Sequence, residues 1–254
     1  MQLVDTHCHL DFDCFDHDRQ QVIARAHASH VEKIIIPATQ KKFWPRIKQL
    51  CQPQTDLYAC YGLHPYWVTE HSQHELTELE KTLTENNAVG VGECGLDFRP
   101  GQADRALQQD IFETQLSIAQ TMALPVIIHA VHATEAVINI LKKYPNLRGM
   151  VHSYSGSHEQ AVQLIDLGFY LGIGGAITYT PNSKLHYVVS KIPLTALLLE
   201  TDAPDQPDLL HKNKRNEPAY ITSTLQAIAN IKKEDSELIA QQTTQNVSKL
   251  FGIS

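Results

Sequence analysis

Short apolar runs recur along the chain, and the stretches between them are patterned as helices. The runs are Leu3–Thr6, Lys33–Ala38, Leu57–Leu63, Ala88–Glu93, Pro125–His129, Gly149–His152, Tyr170–Ile173 and Ala196–Thr201. Several are continuous in Val, Ile and Leu rather than alternating with polar residues, which predicts parallel strands covered on both faces. Between them, Asp104–Ala123 carries Ile111, Phe112, Gln115, Leu116 and Ala119 at helical spacing. Thr134–Tyr144 places Val137, Ile138 and Leu141 on one side, and Ser157–Leu167 does the same with Ala161, Leu164 and Ile165. Ser157 followed by Gln160 is a capping-box pattern that marks a helix start. Eight runs alternating with helices over this length predict a single-domain (β/α)8 TIM barrel spanning residues 1–254. A doubly wound open sheet is the alternative.

The polar residues sharpen this picture, because imidazoles and carboxylates gather where the apolar runs stop. His7 and His9 follow the first run, and His64 follows the third in Gly62-Leu63-His64-Pro65. Glu93 ends the fourth, His129 the fifth and His152 the sixth, and Asp202 follows the eighth. In a barrel the strand C-termini converge on one face, so residues spread from 7 to 202 would meet there. Taken singly, a histidine at a strand end is more often a structural or solvated residue than a ligand. The repetition over strand after strand is what points to a metal site. His17, His27, His30, His71, His74, His158, His186 and His211 fall in helical or polar stretches and are expected to be solvated.

His7 and His9 are two apart, so in extended chain both face one side and can reach one ion, while Cys8 turns away into the core. Asp5 is read equally as a carboxylate holding an imidazole and as a strand-end hydrogen-bonding residue. Glu93 lies in the glycine-rich Val89-Gly90-Val91-Gly92-Glu93-Cys94-Gly95, where burial of a lone carboxylate is costly unless cations compensate it. A carboxylate there can bridge two ions. Asp202 can bind an ion and accept a proton from water. Asp97 is read as a loop-capping residue and Glu200 as a buried structural partner. Arg99, and Lys212, Lys214 and Arg215 in the loop after the last strand, are candidate phosphate contacts, weighed equally against ordinary solvated basic residues.

Composition narrows the class. A chain of 254 residues buries a large core without disulfide staples. Its five cysteines are odd in number and contain no Cys-x-x-Cys pair, so neither a disulfide framework nor a zinc ribbon is indicated. No apolar run approaches the roughly 20 residues of a membrane span, and the first residues lack a basic, then apolar, leader pattern. A cytoplasmic location is expected, with no membrane contact and no obligate protein partner. The net charge of −7 argues against broad non-specific nucleic-acid binding but allows a small anionic substrate or a strand end.

Six stretches, in order, resemble the TatD family of metal-dependent deoxyribonucleases within the amidohydrolase-like barrels. They are Asp5-Thr6-His7-Cys8-His9-Leu10-Asp11, Gly62-Leu63-His64-Pro65, Val91-Gly92-Glu93-Cys94-Gly95-Leu96-Asp97, Leu124-Pro125-Val126-Ile127-Ile128-His129, Val151-His152-Ser153-Tyr154-Ser155-Gly156 and Leu199-Glu200-Thr201-Asp202-Ala203-Pro204. Arg215-Asn216-Glu217-Pro218 and the C-terminal segment Asn246–Phe251 are also similar to the family, so the resemblance spans nearly the whole chain. It implies two divalent ions, of Zn, Mn, Mg or Fe, one held by His7, His9 and Asp202, the other by His129 and His152, with Glu93 between them. It also implies that His64 meets the substrate. The chain departs from the family pattern at Ala130-Val131-His132 and at Ser153-Tyr154. The activity implied is hydrolysis by a metal-activated water, with Asp202 as ligand and general base, on phosphodiesters at DNA or RNA ends. The alternative is hydrolysis of ester or C–N bonds, including aminoacyl esters, in a small anionic substrate.

Overall fold

The computed structural model describes residues 2–52, 56–179 and 184–253. Eight parallel strands follow one another in chain order around a nearly closed barrel: β1 (Leu3–Asp5), β2 (Val31–Pro37), β3 (Leu57–Tyr61), β4 (Gly90–Asp97), β5 (Val126–Val131), β6 (Gly149–Val151), β7 (Phe169–Ile173) and β8 (Leu197–Leu199). The connections carry α1 (Arg19–Ala28), α2 (Trp44–Cys51), α3 (Gln73–Glu85), α4 (Arg105–Met122), α5 (Thr134–Leu141), α6 (His158–Asp166), α7 (Lys184–Lys191) and α8 (Ile221–Lys232), and the chain ends in α9 (Ser236–Phe251). The architecture is the (β/α)8 barrel that the alternation of runs predicts, not the open sheet.

Helix ends follow local chemistry. Asp104 caps α4 by accepting from the backbone N–H groups of Ala106 and Leu107. Ser157 and Gln160 close the expected capping box on α6. Helix α5 stops at Leu141, three residues short of the predicted end, because Lys143 and Tyr144 tighten into turns bonded three residues back.

Strand parity places the functional face. Val4, Ile35, Cys60, Ile127, Met150 and Leu198 form one buried layer inside the barrel, packed against Val247, Leu250, Phe251 and Ile253 of the C-terminal segment. Helix α9 thereby plugs the N-terminal end of the barrel. Two residues further along their strands, on the same side, come His129, His152 and Glu200. The same inward parity that fills the lower barrel with Ile and Leu thus delivers polar groups to the upper end.

Strands β1 and β8 are joined by irregular bonds. Thr6 N–H donates to the Leu199 carbonyl at 3.1 Å, Asp202 N–H to that of His7 at 2.8 Å and His9 N–H to that of Ala203 at 2.8 Å. The fully buried Asp5 reinforces the seam by accepting from the N–H groups of His7 and Thr201 and from the Thr201 hydroxyl. Burial raises its carboxyl to about 7. Asp5 is therefore a backbone latch rather than an imidazole partner.

Strand β4 differs from expectation in length. It continues through Cys94–Asp97, so Glu93 lies within it rather than at its end. The pairing with β5 slips between Val91 and Cys94, and Glu93 N–H turns to the Ala38 carbonyl instead. Gly95, at φ +138°, sits flat against β5: a Cβ there would fall 2.1 Å from the His129 carbonyl oxygen. Gly95→Ala should therefore destabilise the protein by roughly 1–3 kcal/mol through overpacking, measurable as a lower melting temperature, and retention of the wild-type value would refute the tight approach.

Candidate metal centre

The side chains at the top of the barrel meet around Glu93, which is almost wholly buried. Its two oxygens face different neighbours. Oε2 lies 3.2 Å from His7 Nε2 and 3.5 Å from His9 Nε2. Oε1 lies 2.8 Å from His152 Nε2, 3.0 Å from His129 Nδ1 and 3.2 Å from His64 Nε2. Asp202 Oδ1 joins the first group, 3.4 Å from His7 Nε2 and 3.6 Å from His9 Nε2.

The outer contacts decide which ring nitrogen is free. His9 Nδ1 is 3.2 Å from the Pro37 carbonyl, which only accepts, so Nδ1 carries the hydrogen and Nε2 presents a lone pair. His129 Nε2 is 3.2 Å from Asp97 Oδ2, so by the same reasoning Nδ1 faces the centre with its lone pair. His64 has the opposite arrangement. Its Nδ1 accepts from Tyr66 N–H at 3.0 Å, so the ring hydrogen sits on Nε2 and points at Glu93. His64 is a donor here, not a lone-pair ligand, although it lies close enough to Glu93 and His129 to be grouped with them.

These lone pairs crowd one another. His7 Nε2 and His9 Nε2 are 3.2 Å apart, and His129 Nδ1 and His152 Nε2 are 3.1 Å apart. Such contacts are repulsive unless a proton or a cation lies between them. Buried imidazole and carboxylate donors in this mixture suit divalent transition metals, so the residues fit the ions. Without metal, protons take that place. Burial disfavours the charged forms of His9 and His152, but hydrogen bonding and charge from Glu93 more than offset it, lifting His9 to about 9 and His152 to about 10. Burial dominates at His7 and His64 and holds both near 4. Burial alone would raise Glu93, yet the imidazoles, His152 foremost, hold it well below the usual carboxylate range.

The outer residues include two groups missed by the sequence pattern. Asp97 is buried, accepts from His129 and is gripped by Arg99 Nε at 2.9 Å and Nη2 at 2.5 Å. It also accepts Arg99 N–H, so the expected loop-capping bond is present alongside the imidazole contact. Its position two strand residues after Gly95, facing the next strand's histidine, was the available signal. His71, expected to be solvated, has a buried side chain that donates from Nε2 to the His64 carbonyl at 3.0 Å. Nothing in its sequence surroundings marks it. Glu200 is buried as expected, accepts Ser153 N–H, and is raised by burial to about 8.

A cavity of about 590 Å³ opens above the centre. Its wall includes His9, His64, Glu93, His129, His152 and Asp202, with Phe12, Tyr66, Trp67, Arg99 and Gln206 around them. Arg99 is the lysine or arginine that lines it, with its side chain 46% exposed. Lys212 is exposed and outside the lining. Arg215 lies elsewhere too, bonded to Asp18 and the Cys14 carbonyl and stacked over Phe15. Its guanidinium is committed to that contact.

Residues 4–252 match the model of the TatD related DNase family. The chain is 37% identical to YjjV of Escherichia coli (strain K12), named an uncharacterized metal-dependent hydrolase, over 99% of this chain and 98% of that protein. It is 34% identical to the similarly named YabD of Bacillus subtilis (strain 168), over 99% of this chain and all of the relative. The crystal structure of the E. coli TatD homologue YjjV superposes with a TM-score of 0.95, covering 99% and 98% of the two chains.

Because His9 and His152 hold protons at neutral pH in the metal-free centre, an entering cation must displace them. Binding of Mn²⁺ or Zn²⁺ at pH 7 should release protons, and affinity should fall as pH falls below about 10 and again below about 9. Calorimetry in two buffers of different ionisation enthalpy measures the release. A buffer-independent heat would show that no such protons are displaced.

Proposed function

The chain belongs to the TatD related DNase family, and from that premise we propose that it is a divalent-metal-dependent hydrolase of phosphodiester bonds at nucleic-acid ends. The observation that carries the reading is the division of Glu93 between two donor sets, His7, His9 and Asp202 on one side and His129 and His152 on the other. That division suits a bridging carboxylate between two ions, and paired ions favour in-line displacement at phosphorus. Divalent cations held there supply Lewis acidity and lower the pKa of a water.

The protein's own groups do the rest. Asp202 keeps Oδ1 among the ligand nitrogens and takes the proton of the attacking water. His64, neutral through burial and carrying its hydrogen on Nε2, donates to a substrate oxygen near Glu93. Asp97 fixes the ring of His129 and holds Nε and Nη2 of Arg99. Arg99 then offers Nη1 to a phosphate on the cavity wall. Tyr66, 51% exposed, and Trp67 give aromatic faces beside His64 that suit an unpaired base. One cation on the wall suits a strand end better than a long duplex, in keeping with the net charge of −7. No helix among the described residues is long and apolar enough to cross a membrane, and the five cysteines are free thiols, which suits a reducing, cytoplasmic setting.

A panel of linear and end-closed oligonucleotides, simple phosphodiesters and aminoacyl esters, each with Mg²⁺, Mn²⁺ or Zn²⁺, tests the reading. Linear strands should lose nucleotides from their ends, and Asp202→Asn should lower turnover by about 10²–10⁴-fold with the fold intact. Cleavage of acyl or C–N bonds with phosphodiesters untouched would replace this reading by the alternative. His64→Ala should lower turnover while metal content stays at the wild-type level; loss of an ion in that variant would make His64 a ligand instead of a donor.

A further inference from the structure

The second oxygen of Asp202 has a partner that the ligand set does not explain. Gln206 Nε2 donates to Asp202 Oδ2 at 2.5 Å, while the Ser153 hydroxyl donates to Gln206 Oε1 at 2.8 Å. The three side chains form a line from the loop after β6 to the loop after β8. Asp202 Oδ1 is the atom near His7 and His9. The carboxylate is therefore divided, one oxygen toward the ligand nitrogens and one toward an amide.

The direction of the amide is set by the Asp202 carboxylate, which only accepts. A glutamine amide can turn over and exchange its oxygen and nitrogen. Turned over, Oε1 would face Asp202 Oδ2, acceptor against acceptor. With the N–H group on the carboxylate, the Ser153 hydroxyl meets Oε1 as a donor and completes the line. An amide supplies this bond without a charge, so the carboxylate keeps its negative charge for a cation.

The loop bearing Gln206 is built into position. Asn216 donates from Nδ2 to the carbonyls of Thr201 and Asp205, each at 2.8 Å, and Tyr179 donates to the Pro207 carbonyl at 2.9 Å. The Gln206 carbonyl comes so close to Gly175 that a Cβ there would lie 2.6 Å from it. Ser153, Asp202 and Gln206 all adopt left-handed backbone, at φ +45°, +59° and +50°. Non-glycine residues hold that conformation when their surroundings impose it.

We propose that Gln206 is a positioning residue for Asp202, and that Ser153 acts through it, so that Oδ1 is presented as a single metal-facing oxygen. The inference rests on the reading of Asp202 as part of the metal centre. Among the described residues the Ser153 hydroxyl bonds to Gln206 and the Gln206 amide to Asp202, so the effect of these two side chains reaches the ion through one carboxylate.

Titration of Mn²⁺ into the metal-free full-length protein, followed by calorimetry, tests this alongside turnover of a simple phosphodiester. Outer partners of metal ligands typically contribute about 10–100-fold in affinity. Gln206→Leu should weaken one Mn²⁺ site by about 10-fold and leave the other unchanged. Ser153→Ala should weaken the same site by a smaller factor. The double variant should match Gln206→Leu, because the Ser153 hydroxyl acts only through Gln206. Wild-type affinity in Gln206→Leu, or losses that multiply in the double variant, would overturn the proposal. If Gln206→Leu does not fold, Ser153→Ala decides alone, and unchanged affinity there overturns it. A wild-type protein that takes up no Mn²⁺ would instead overturn the metal reading on which this one stands.

Discussion

A single buried carboxylate shared between two groups of imidazoles organises the upper end of the barrel. Glu93 has almost no access to water, and a lone carboxylate in that setting is costly to bury. Its neighbours make the burial tolerable only as a set. His7 and His9 stand against Oε2, and His129, His152 and His64 against Oε1. Each ring whose outer nitrogen has a partner is fixed in orientation: His9 by Pro37, His129 by Asp97 and His64 by Tyr66 N–H. The inner face that results is rich in lone pairs and negative charge, which is what a cation requires and a well-packed core would exclude.

The demand for one shared centre also shapes the barrel's seam. His7 and His9 follow the first strand and Asp202 follows the last, yet their donor atoms lie within 3.6 Å of one another. Ordinary ladder pairing gives way here to crossing backbone bonds and the Asp5 latch to Thr201. The slip in β4 at Glu93 belongs to the same economy. A side chain that must reach the centre is turned there by redirecting its backbone N–H to Ala38.

Much of this was legible in the sequence, because strand parity and strand ends are local properties. Runs of Val, Ile and Leu specify strands buried on both faces, and a polar residue two places beyond an inward-facing one, such as Ile127 or Met150, inherits its direction. His129 and His152 are readable in that way. Glu93 was placed at a strand end because the glycines around it interrupt the apolar run, whereas β4 continues to Asp97 by leaning its glycines on β5. The outer shell was less legible. Asp97 reaches His129 across strands, and His71 reaches His64 by way of a kinked segment between residues 65 and 70. Arg215, weighed equally as a phosphate contact and as a solvated basic residue, instead pairs with Asp18, almost two hundred residues earlier in the chain. Contacts of that range leave no trace in local spacing.

The plug formed by α9 has a consequence for traffic. Phe251, Leu250 and Ile253 seal the lower end against a packed layer of strand side chains, so the cavity above Glu93 has no passage through the barrel. Whatever enters must leave by the same mouth, and a polymer cannot be drawn through. Tyr66 and Trp67 stand on the wall of that one open side, so arrival and departure share the same surroundings.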